Sequence, residues 1–190
     1  MVELLVTIGI FTILTGIVLA KYRTFNTNAE FANASEDVVL ALRQAQVYGV
    51  GTKRDTAMAC GTGTNFECAY GVHFAASTPN QIIIFADRDN NGLYGPMLGE
   101  EIEVISWNSS ISLTGIKCGL VTDDCVGDVF TGAVMDVTFR RPSPDAYIFD
   151  LATHDVLSAG FKTGWITLSD ANTSRISTIT ISAAGQISVQ

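Results

Sequence analysis

The sequence predicts an α+β protein in which a long N-terminal helix packs on a C-terminal antiparallel β-sheet domain. The chain of 190 residues opens with an uninterrupted apolar run, and from residue 52 onward it consists of short strand-like segments separated by turn residues. Between these two regions the apolar residues recur at helical spacing, which indicates that the helix continues past the run and packs on the sheet.

The opening run is MVELLVTIGIFTILTGIVLA, and its one charged residue is Glu3. The stretch of about 17 residues after Glu3 covers roughly 26 Å as a helix, close to the thickness of the hydrocarbon core of a bilayer. A carboxylate at the mouth of such a helix is costly in lipid unless a partner neutralises it, so we expect Glu3 to be functional. A plain membrane anchor explains the run but leaves Glu3 unexplained. A signal peptide fits less well, because Lys21 and Arg23 follow the run instead of preceding it.

We divide the predicted helix into a transmembrane and assembly segment, residues 1–24, and an amphipathic continuation, residues 25–51. Apolar residues of the continuation recur at spacings of three and four, which places them on one face. They are Phe31, Ala34, Val38, Leu42 and Ala45. The Gly49-Val50-Gly51 cluster predicts the end of the helix. A break near Asn26, with a fresh start at Ser35, is the alternative to one continuous helix.

Residues 52–190 are expected to form an extracytoplasmic β-rich domain. Short runs of Ile, Val, Phe and Thr alternate with Gly, Asn, Asp and Pro, which predicts one antiparallel sheet or a pair of sheets. The last run breaks at Gly185 and is either a hairpin or a bulged strand. The candidate strands are 56–60, 70–75, 81–86, 101–106, 110–117, 135–140, 146–150, 164–168 and 176–189.

Four cysteines stand in two close pairs, Cys60/Cys68 and Cys118/Cys125. Four cysteines allow three pairings, and the local pairing closes two short loops. Zinc ligands normally stand two to four residues apart, so the wider spacing here favours disulfides over zinc, with free buried thiols as a further alternative. Disulfides imply an oxidising compartment outside the cytoplasmic membrane.

The segment from Asp87 to Gly92, DRDNNG, matches the first half of a calcium-binding loop, with oxygen ligands at alternate positions and a Gly for the sharp turn. The pattern then departs, because its twelfth position is Leu98 and the nearest Glu follows two residues later. The candidate calcium ligands are Asp87, Asp89, Asn91, the carbonyl of Leu93, and Glu100. The alternative is a polar hairpin turn held by Asx hydrogen bonds.

The charge and the motifs argue against two classes of function. The chain has 19 acidic and 11 basic residues and a net charge of −8, whereas nucleic-acid binding needs a basic patch. The two histidines, His73 and His154, are far apart in sequence and belong to no catalytic motif. We therefore expect neither nucleic-acid binding nor enzymatic activity, and we expect His73 to be half-buried in a strand.

The segment VELLVTIGI at residues 2–10 resembles the N-terminus of type IV pilins and type II secretion pseudopilins, and Glu3 falls on the invariant glutamate of that family. Precursors of the family carry a short basic leader ending in Gly, which we expect upstream of Met1. The segment from Ile179 to Ile187 resembles the closing I-x-I-S-x-x-G-x-I pattern of the GspH/FimT-like minor pseudopilins. Residues 137–142 resemble the F-x-P-x-G segment of that subfamily, but the glycine is missing and Asp145 stands in the turn.

The resemblance implies a structural subunit of a type IV pilus or type II secretion-like filament, either a minor pilin or pseudopilin or, alternatively, a major pilin. It implies a single-pass protein of the cytoplasmic membrane whose partners are the lipid bilayer, the inner-membrane assembly machinery and other subunits. It also implies that Glu3 pairs with the free N-terminal amine of a neighbouring subunit. The alternative from another class is a membrane-anchored extracellular binding module, calcium-dependent or not, that does not polymerise.

Overall fold

The computed structural model describes residues 2–51, 53–55, 60, 68–119, 134–150 and 163–190. In these residues an N-terminal helix is followed by two antiparallel sheets, which confirms the predicted α+β class. The helix α1 is Val2–Val50, and the strands are β1 Ala69–Ala75, β2 Gln81–Asp87, β3 Glu101–Ser106, β4 Ile111–Gly119, β5 Val134–Phe139, β6 Ala146–Asp150, β7 Thr163–Asp170, β8 Arg175–Ser182 and β9 Ile187–Val189.

Helix α1 runs for 49 residues without interruption, a length of about 74 Å. The alternative of a break near Asn26 is wrong, because the Asn26 amide donates to the Glu30 carboxylate four residues on (2.7 Å) and so joins the helix surface. The predicted end is confirmed: the last helical residue is Val50, and the N–H of Gly51 still bonds the carbonyl of Val47 at 2.9 Å.

The strands form a five-stranded sheet in the order β3-β2-β1-β5-β6 and a four-stranded sheet in the order β4-β7-β8-β9. Of the two predicted arrangements, the structure therefore has the pair of sheets. The run at 176–189 is the hairpin β8–β9, whose turn includes Gly185 at a φ of 75°. Seven further predicted strands coincide with β1 to β7 apart from shifts of one or two residues at their ends. The candidate strand at 56–60 lies outside the described residues except for Cys60, which is in no strand.

One apolar core joins α1 to both sheets. The predicted helix stripe is confirmed, since all five of its residues are buried, and Ala41 is buried beside them. The strands contribute side chains from their inward faces, and each large apolar side chain removed from water stabilises the fold by about 1.5–3 kcal/mol. These core residues include Val72, Phe74, Ile82, Ile84, Leu113, Val137, Phe139, Ile166, Leu168, Ile179 and Ile181.

Gln46 joins the helix to both sheets near its C-terminal end. Its side-chain amide donates to the carbonyls of Pro144, which precedes β6, and Gly185, in the β8–β9 turn, both at 3.1 Å. The N–H of Ala146 also bonds the carbonyl of Ala183 at 2.8 Å. A Cβ at Gly185 would collide with the Pro144 carbonyl, so only glycine permits this approach of the two turns.

Gly49→Ala tests the close packing of α1 on β5. A Cβ at Gly49 would collide with the Phe139 carbonyl and lie 2.9 Å from the Phe139 Cβ. Overpacking of this kind costs about 1–3 kcal/mol, although alanine alone would favour the helix. We expect thermal unfolding of the full chain in detergent, followed by circular dichroism, to shift down by roughly 2–10 °C.

The matched control is Gly9→Ala in the same helix, where the added Cβ meets no atom within 4 Å. We expect its melting temperature to equal or exceed that of the wild type. If Gly49→Ala were as stable as Gly9→Ala, the contact between the helix and β5 would be looser than described.

Candidate functional site

The first half of α1 is an apolar helix that the rest of the chain leaves uncovered. The window Val2–Leu19 has a mean hydropathy of 2.3, and none of it is buried. It is long and apolar enough to cross a membrane. The large side chains of this half are exposed on every side of the helix; they are Val2, Leu4, Leu5, Val6, Ile8, Ile10, Phe11, Ile13, Leu14, Ile17, Val18 and Leu19.

Polar side chains in this half bond the helix backbone. The hydroxyl of Thr7 donates to the Leu4 carbonyl at 2.9 Å, and the hydroxyl of Thr12 donates to the Ile8 carbonyl at 2.8 Å. Such bonds satisfy hydroxyl groups in an apolar medium. Glu3 stands in the first turn of α1, where the free N–H groups of a helix N-terminus favour a negative charge. Those groups carry only a partial charge, so a full carboxylate in lipid remains costly unless a cation pairs with it.

The second candidate site is the loop between β2 and β3, which we call the acidic loop (residues 87–100). Asp87, at the end of β2, is 2% exposed, and Glu100 is fully buried. Asp89 is exposed, and carboxylate oxygens of the three residues all lie within 4.8 Å of one another. The structure thus brings together the three carboxylates among the candidate calcium ligands.

Backbone N–H groups hold the two buried carboxylates. Asp87 accepts from the N–H of Asn91 at 3.0 Å and from that of Gly92 at 2.9 Å. Glu100 accepts from the N–H of Arg88 at 2.8 Å and from that of Gly95 at 2.7 Å. Each carboxylate can accept about four hydrogen bonds or ligand contacts, so these bonds leave lone pairs for a cation.

Asn91 and Leu93 occupy the same turn. The Asn91 side-chain amide donates to Asp89 at 2.7 Å, and its own oxygen accepts from the N–H of Leu93 at 2.6 Å. Gly92 has a φ of 83°, and a Cβ there would enter the ring of Phe149. The geometry therefore contains the Asx hydrogen bonds of a polar turn together with three carboxylates that are close enough to hold a metal ion.

Arg88 fastens the acidic loop to the segment that follows the helix, a contact that sequence reasoning missed. Its Nε donates to Asp55 at 2.6 Å, and its Nη1 donates to the carbonyls of Leu98 and Gly99. The sequence alone does not indicate this ion pair, because Asp55 and Arg88 are 33 positions apart and no local pattern links them.

A second missed pair lies beneath the same loop. The Nδ1 of His73 on β1 is 2.7 Å from the Oδ1 of the buried Asp136 on β5. The other carboxylate oxygen of Asp136 accepts from the N–H of Tyr94 at 3.1 Å, and the Tyr94 ring stacks 4.7 Å from that of His73. The pair therefore anchors the acidic loop to the outer face of the first sheet. Half-burial of His73 was expected, but its partner was not.

The structure joins Cys60 and Cys68 in a disulfide, with their Cα atoms 5.1 Å apart. The second predicted pair cannot be compared with it, because Cys125 lies outside the described residues. Near the disulfide, the Lys53 ammonium lies 3.2 Å from the centre of the Tyr48 ring, a cation–π contact that attaches the segment after the helix.

Burial raises the pKa of Asp87 to about 7, and the nearby carboxylates of Asp89 and Glu100 raise it too, whereas the N–H of Gly92 opposes them. Burial likewise raises the pKa of Glu100, opposed by the N–H groups of Gly95 and Arg88. Burial is the largest cause of both shifts, and repulsion from neighbouring carboxylates adds to it. A divalent cation would relieve that repulsion.

No family model matches this sequence, and neither a curated protein nor a solved structure gives a significant match.

Calcium binding is tested by Asp87→Asn and Asp89→Asn. Each variant loses an acceptor for the hydrogen bonds of the loop and should therefore melt lower in chelator as well. If the acidic loop holds calcium, the loss in melting temperature relative to the wild type should be larger in calcium than in chelator. Calcium at one hundred times its dissociation constant stabilises by about 2.7 kcal/mol, which is about 5 °C or more in melting temperature. Asp145→Asn, an exposed position in the β5–β6 turn, is the control. An equal loss in calcium and in chelator would show that the loop is a polar turn alone.

The pH dependence of stability in chelator tests the environment of Asp87. The pKa of Asp87 is raised from 3.8 to about 7, so between these values the folded state keeps a proton that the unfolded chain releases. The stability from this group is complete below pH 4 and is lost as the pH rises through 7. We expect the melting temperature to fall over that range, and Asp87→Asn to flatten the fall while Asp145→Asn does not. An Asp87→Asn profile parallel to the wild type would contradict the expected pKa.

Proposed function

We propose that this protein is a structural subunit of a type IV pilus or type II secretion-like filament, and that it assembles through the first half of α1. One observation carries the proposal: the window Val2–Leu19 of a 49-residue helix is apolar, is not buried by the described part of the chain and carries Glu3 at its start. The resemblance of residues 2–10 to the pilin N-terminus supports the same function.

An uncovered apolar helix of this size needs an apolar environment, because soluble monomers rarely expose contiguous apolar patches above a few hundred Å². A lipid bilayer supplies that environment before assembly, and the helices of neighbouring subunits supply it afterwards. The same surface therefore serves first as a membrane anchor and then as the core of a filament. The β-domain, attached to the second half of α1, remains outside the membrane throughout.

Glu3 gives the assembly its register. A buried ion pair contributes little net stability, but removing one partner leaves a buried charge at a cost of about 3–5 kcal/mol. A subunit docked in the wrong position is destabilised by this amount, whereas a subunit in the right position has a cation opposite Glu3. The pilin resemblance identifies the N-terminal amine of a neighbouring subunit as such a cation.

The Cys60–Cys68 disulfide supports an oxidising compartment for the β-domain. We propose the cytoplasmic membrane as the location before assembly, and a periplasmic or cell-surface filament as the location after it. The partners are other subunits and the inner-membrane assembly machinery. The net charge of −8 disfavours a role in binding DNA.

Glu3→Ala in the full-length protein tests this function. We expect the variant to insert in the membrane and fold, because Glu3 is exposed and lies in a window of which nothing is buried, but its yield in sheared or purified filaments should fall at least tenfold. The control is Glu36→Ala, which removes another exposed carboxylate from the same helix. Normal filament yield from Glu3→Ala would contradict the proposal.

A second function is favoured by the acidic loop: a membrane-anchored extracellular binding module that does not polymerise. In that protein the apolar half of α1 stays in lipid, and Glu3 has no docking role. Crosslinking in cells separates the two functions, since a filament subunit gives a ladder of multimers and a lone anchor gives monomers.

A further inference from the structure

Three asparagines of this chain begin the motif N-x-S/T, the acceptor for transfer of an oligosaccharide to an asparagine side chain in exported proteins. Such a site needs an exposed asparagine and an accessible hydroxyl two residues later, a combination typical of surface turns. The three motifs differ in how the fold presents them. They are Asn33-Ala34-Ser35, Asn108-Ser109-Ser110 and Asn172-Thr173-Ser174.

The motif at Asn33 is inaccessible in the folded protein. It lies within α1, and Ser35 is only 7% exposed. The hydroxyl of Ser35 donates to the Phe31 carbonyl at 3.2 Å. An enzyme could reach this hydroxyl only by unwinding the helix and separating it from the core. We therefore expect Asn33 to stay unmodified.

The motif at Asn172 lies in the turn between β7 and β8, and both Asn172 and Ser174 are exposed. The carboxylate of Asp170 accepts from the backbone N–H of Asn172 at 2.9 Å and from the hydroxyl of Thr173 at 2.6 Å, which fixes the turn. The side-chain amide of Asn172 makes no hydrogen bond within the described part of the chain. Its nitrogen is therefore available for reaction.

The motif at Asn108 lies in the turn between β3 and β4, where Asn108 is exposed and Ser110 is partly exposed. The side-chain oxygen of Asn108 accepts from the N–H of Ser110 at 3.3 Å and from the hydroxyl of Ser109 at 3.5 Å. Both bonds involve the oxygen. The amide nitrogen, which is the atom that would take the sugar, has no hydrogen bond to any residue that the structure describes.

The fold brings these two turns together at one end of the four-stranded sheet. Strand β4 begins beside the end of β7, and the N–H of Ala171 donates to the Ser110 carbonyl at 2.9 Å. From this end β8 leads to the hairpin turn at Gly185, whose carbonyl accepts from Gln46 of α1. The two exposed asparagines therefore lie on neighbouring turns, at the end of the sheet away from that contact.

We propose that Asn108 and Asn172 are glycosylated, an inference that rests on the extracytoplasmic location proposed above for the β-domain. The donor is a lipid-diphosphate-linked oligosaccharide, and the enzyme is a membrane-bound oligosaccharyltransferase that acts on the folded domain. The side-chain amide nitrogen forms a bond to the anomeric carbon of the sugar, and the bond from that carbon to the diphosphate oxygen breaks. The lipid diphosphate leaves with the bonding electrons, and one amide proton passes to a base of the enzyme.

Mass spectrometry of tryptic peptides tests each site by itself. The full-length chain is purified from the membranes of the cells in which it is naturally made, and trypsin separates the three motifs into peptides 24–43, 89–117 and 163–175. The second and third peptides should each carry one oligosaccharide, assigned by fragmentation to Asn108 and Asn172, and the first should carry none. A bare second or third peptide overturns the assignment of its asparagine, and a glycan on Asn33 overturns selection by the folded domain.

The second experiment changes the hydroxyl and keeps the asparagine. Ser110→Ala should lower the glycan occupancy of Asn108 at least tenfold, and Ser174→Ala should do the same at Asn172. Ser109→Ala is the matched control, because it removes a hydroxyl from the same turn but leaves the motif intact, so normal occupancy is expected. Each variant should melt within about 3 °C of the wild type in detergent, as expected for substitutions in surface turns. Equal occupancy of Asn108 in Ser110→Ala and Ser109→Ala overturns recognition of the motif.

Protease digestion separates this inference from the location on which it rests. In right-side-out membrane vesicles, added protease should digest the β-domain. If the domain is protected, the proposed location is wrong and glycosylation fails with it. If the domain is digested but both turn peptides lack a glycan, the location stands and glycosylation alone is wrong.

Discussion

The structure depends on helix α1, because one part of it packs on the sheets and the other part needs an apolar environment outside the domain. From Phe31 onward α1 is a conventional amphipathic helix, and its buried stripe contributes to the core shared by the two sheets. The window Val2–Leu19 carries no charge except that of Glu3, and none of it is buried. The sheets can cover only one end of a rod about 74 Å long, so the other end is stable only in lipid or among other helices.

The β-domain is arranged to hold its end of the helix firmly. Gln46 bonds turns that belong to different sheets, and Gly185 allows those turns to meet. Arg88 and Asp55 fasten the acidic loop to the segment that leaves the helix, and His73 and Asp136 fasten the same loop from below. The loop therefore occupies a fixed position on the domain, which is the condition for a cluster of carboxylates to act as a cation site instead of a solvated turn.

Much of the fold could be predicted from the sequence, because local patterns determine it. The helix stripe follows from spacing, the end of α1 from Gly49 and Gly51, and the strands from alternation between turn residues. Which strands pair within each sheet could not be predicted. For example, β1 pairs with β5, and no pattern in the roughly 60 residues between them indicates this pairing. The same holds for Arg88–Asp55 and His73–Asp136, whose members are brought together only by the completed sheet.

In the candidate sites, too, some features follow from local sequence patterns and others only from the fold. Asp87, Asp89 and Asn91 form a contiguous motif that is visible in the sequence, and Glu100 joins them because a short 3₁₀ turn at Pro96–Leu98 shortens the path back to the sheet. Leu40 and Val47 lie on the side of the helix opposite the predicted stripe, and their exposure follows from that spacing.

The buried stripe of α1 has a mechanical consequence. Its residues lie in a row parallel to the helix axis, so a force that pulls the helix along that axis loads all of their contacts in shear at once instead of peeling them apart one by one. A domain attached in this way resists extraction far better than one attached at a single point. A pull on the apolar end of α1 would therefore move the whole protein without unfolding the β-domain at the other end.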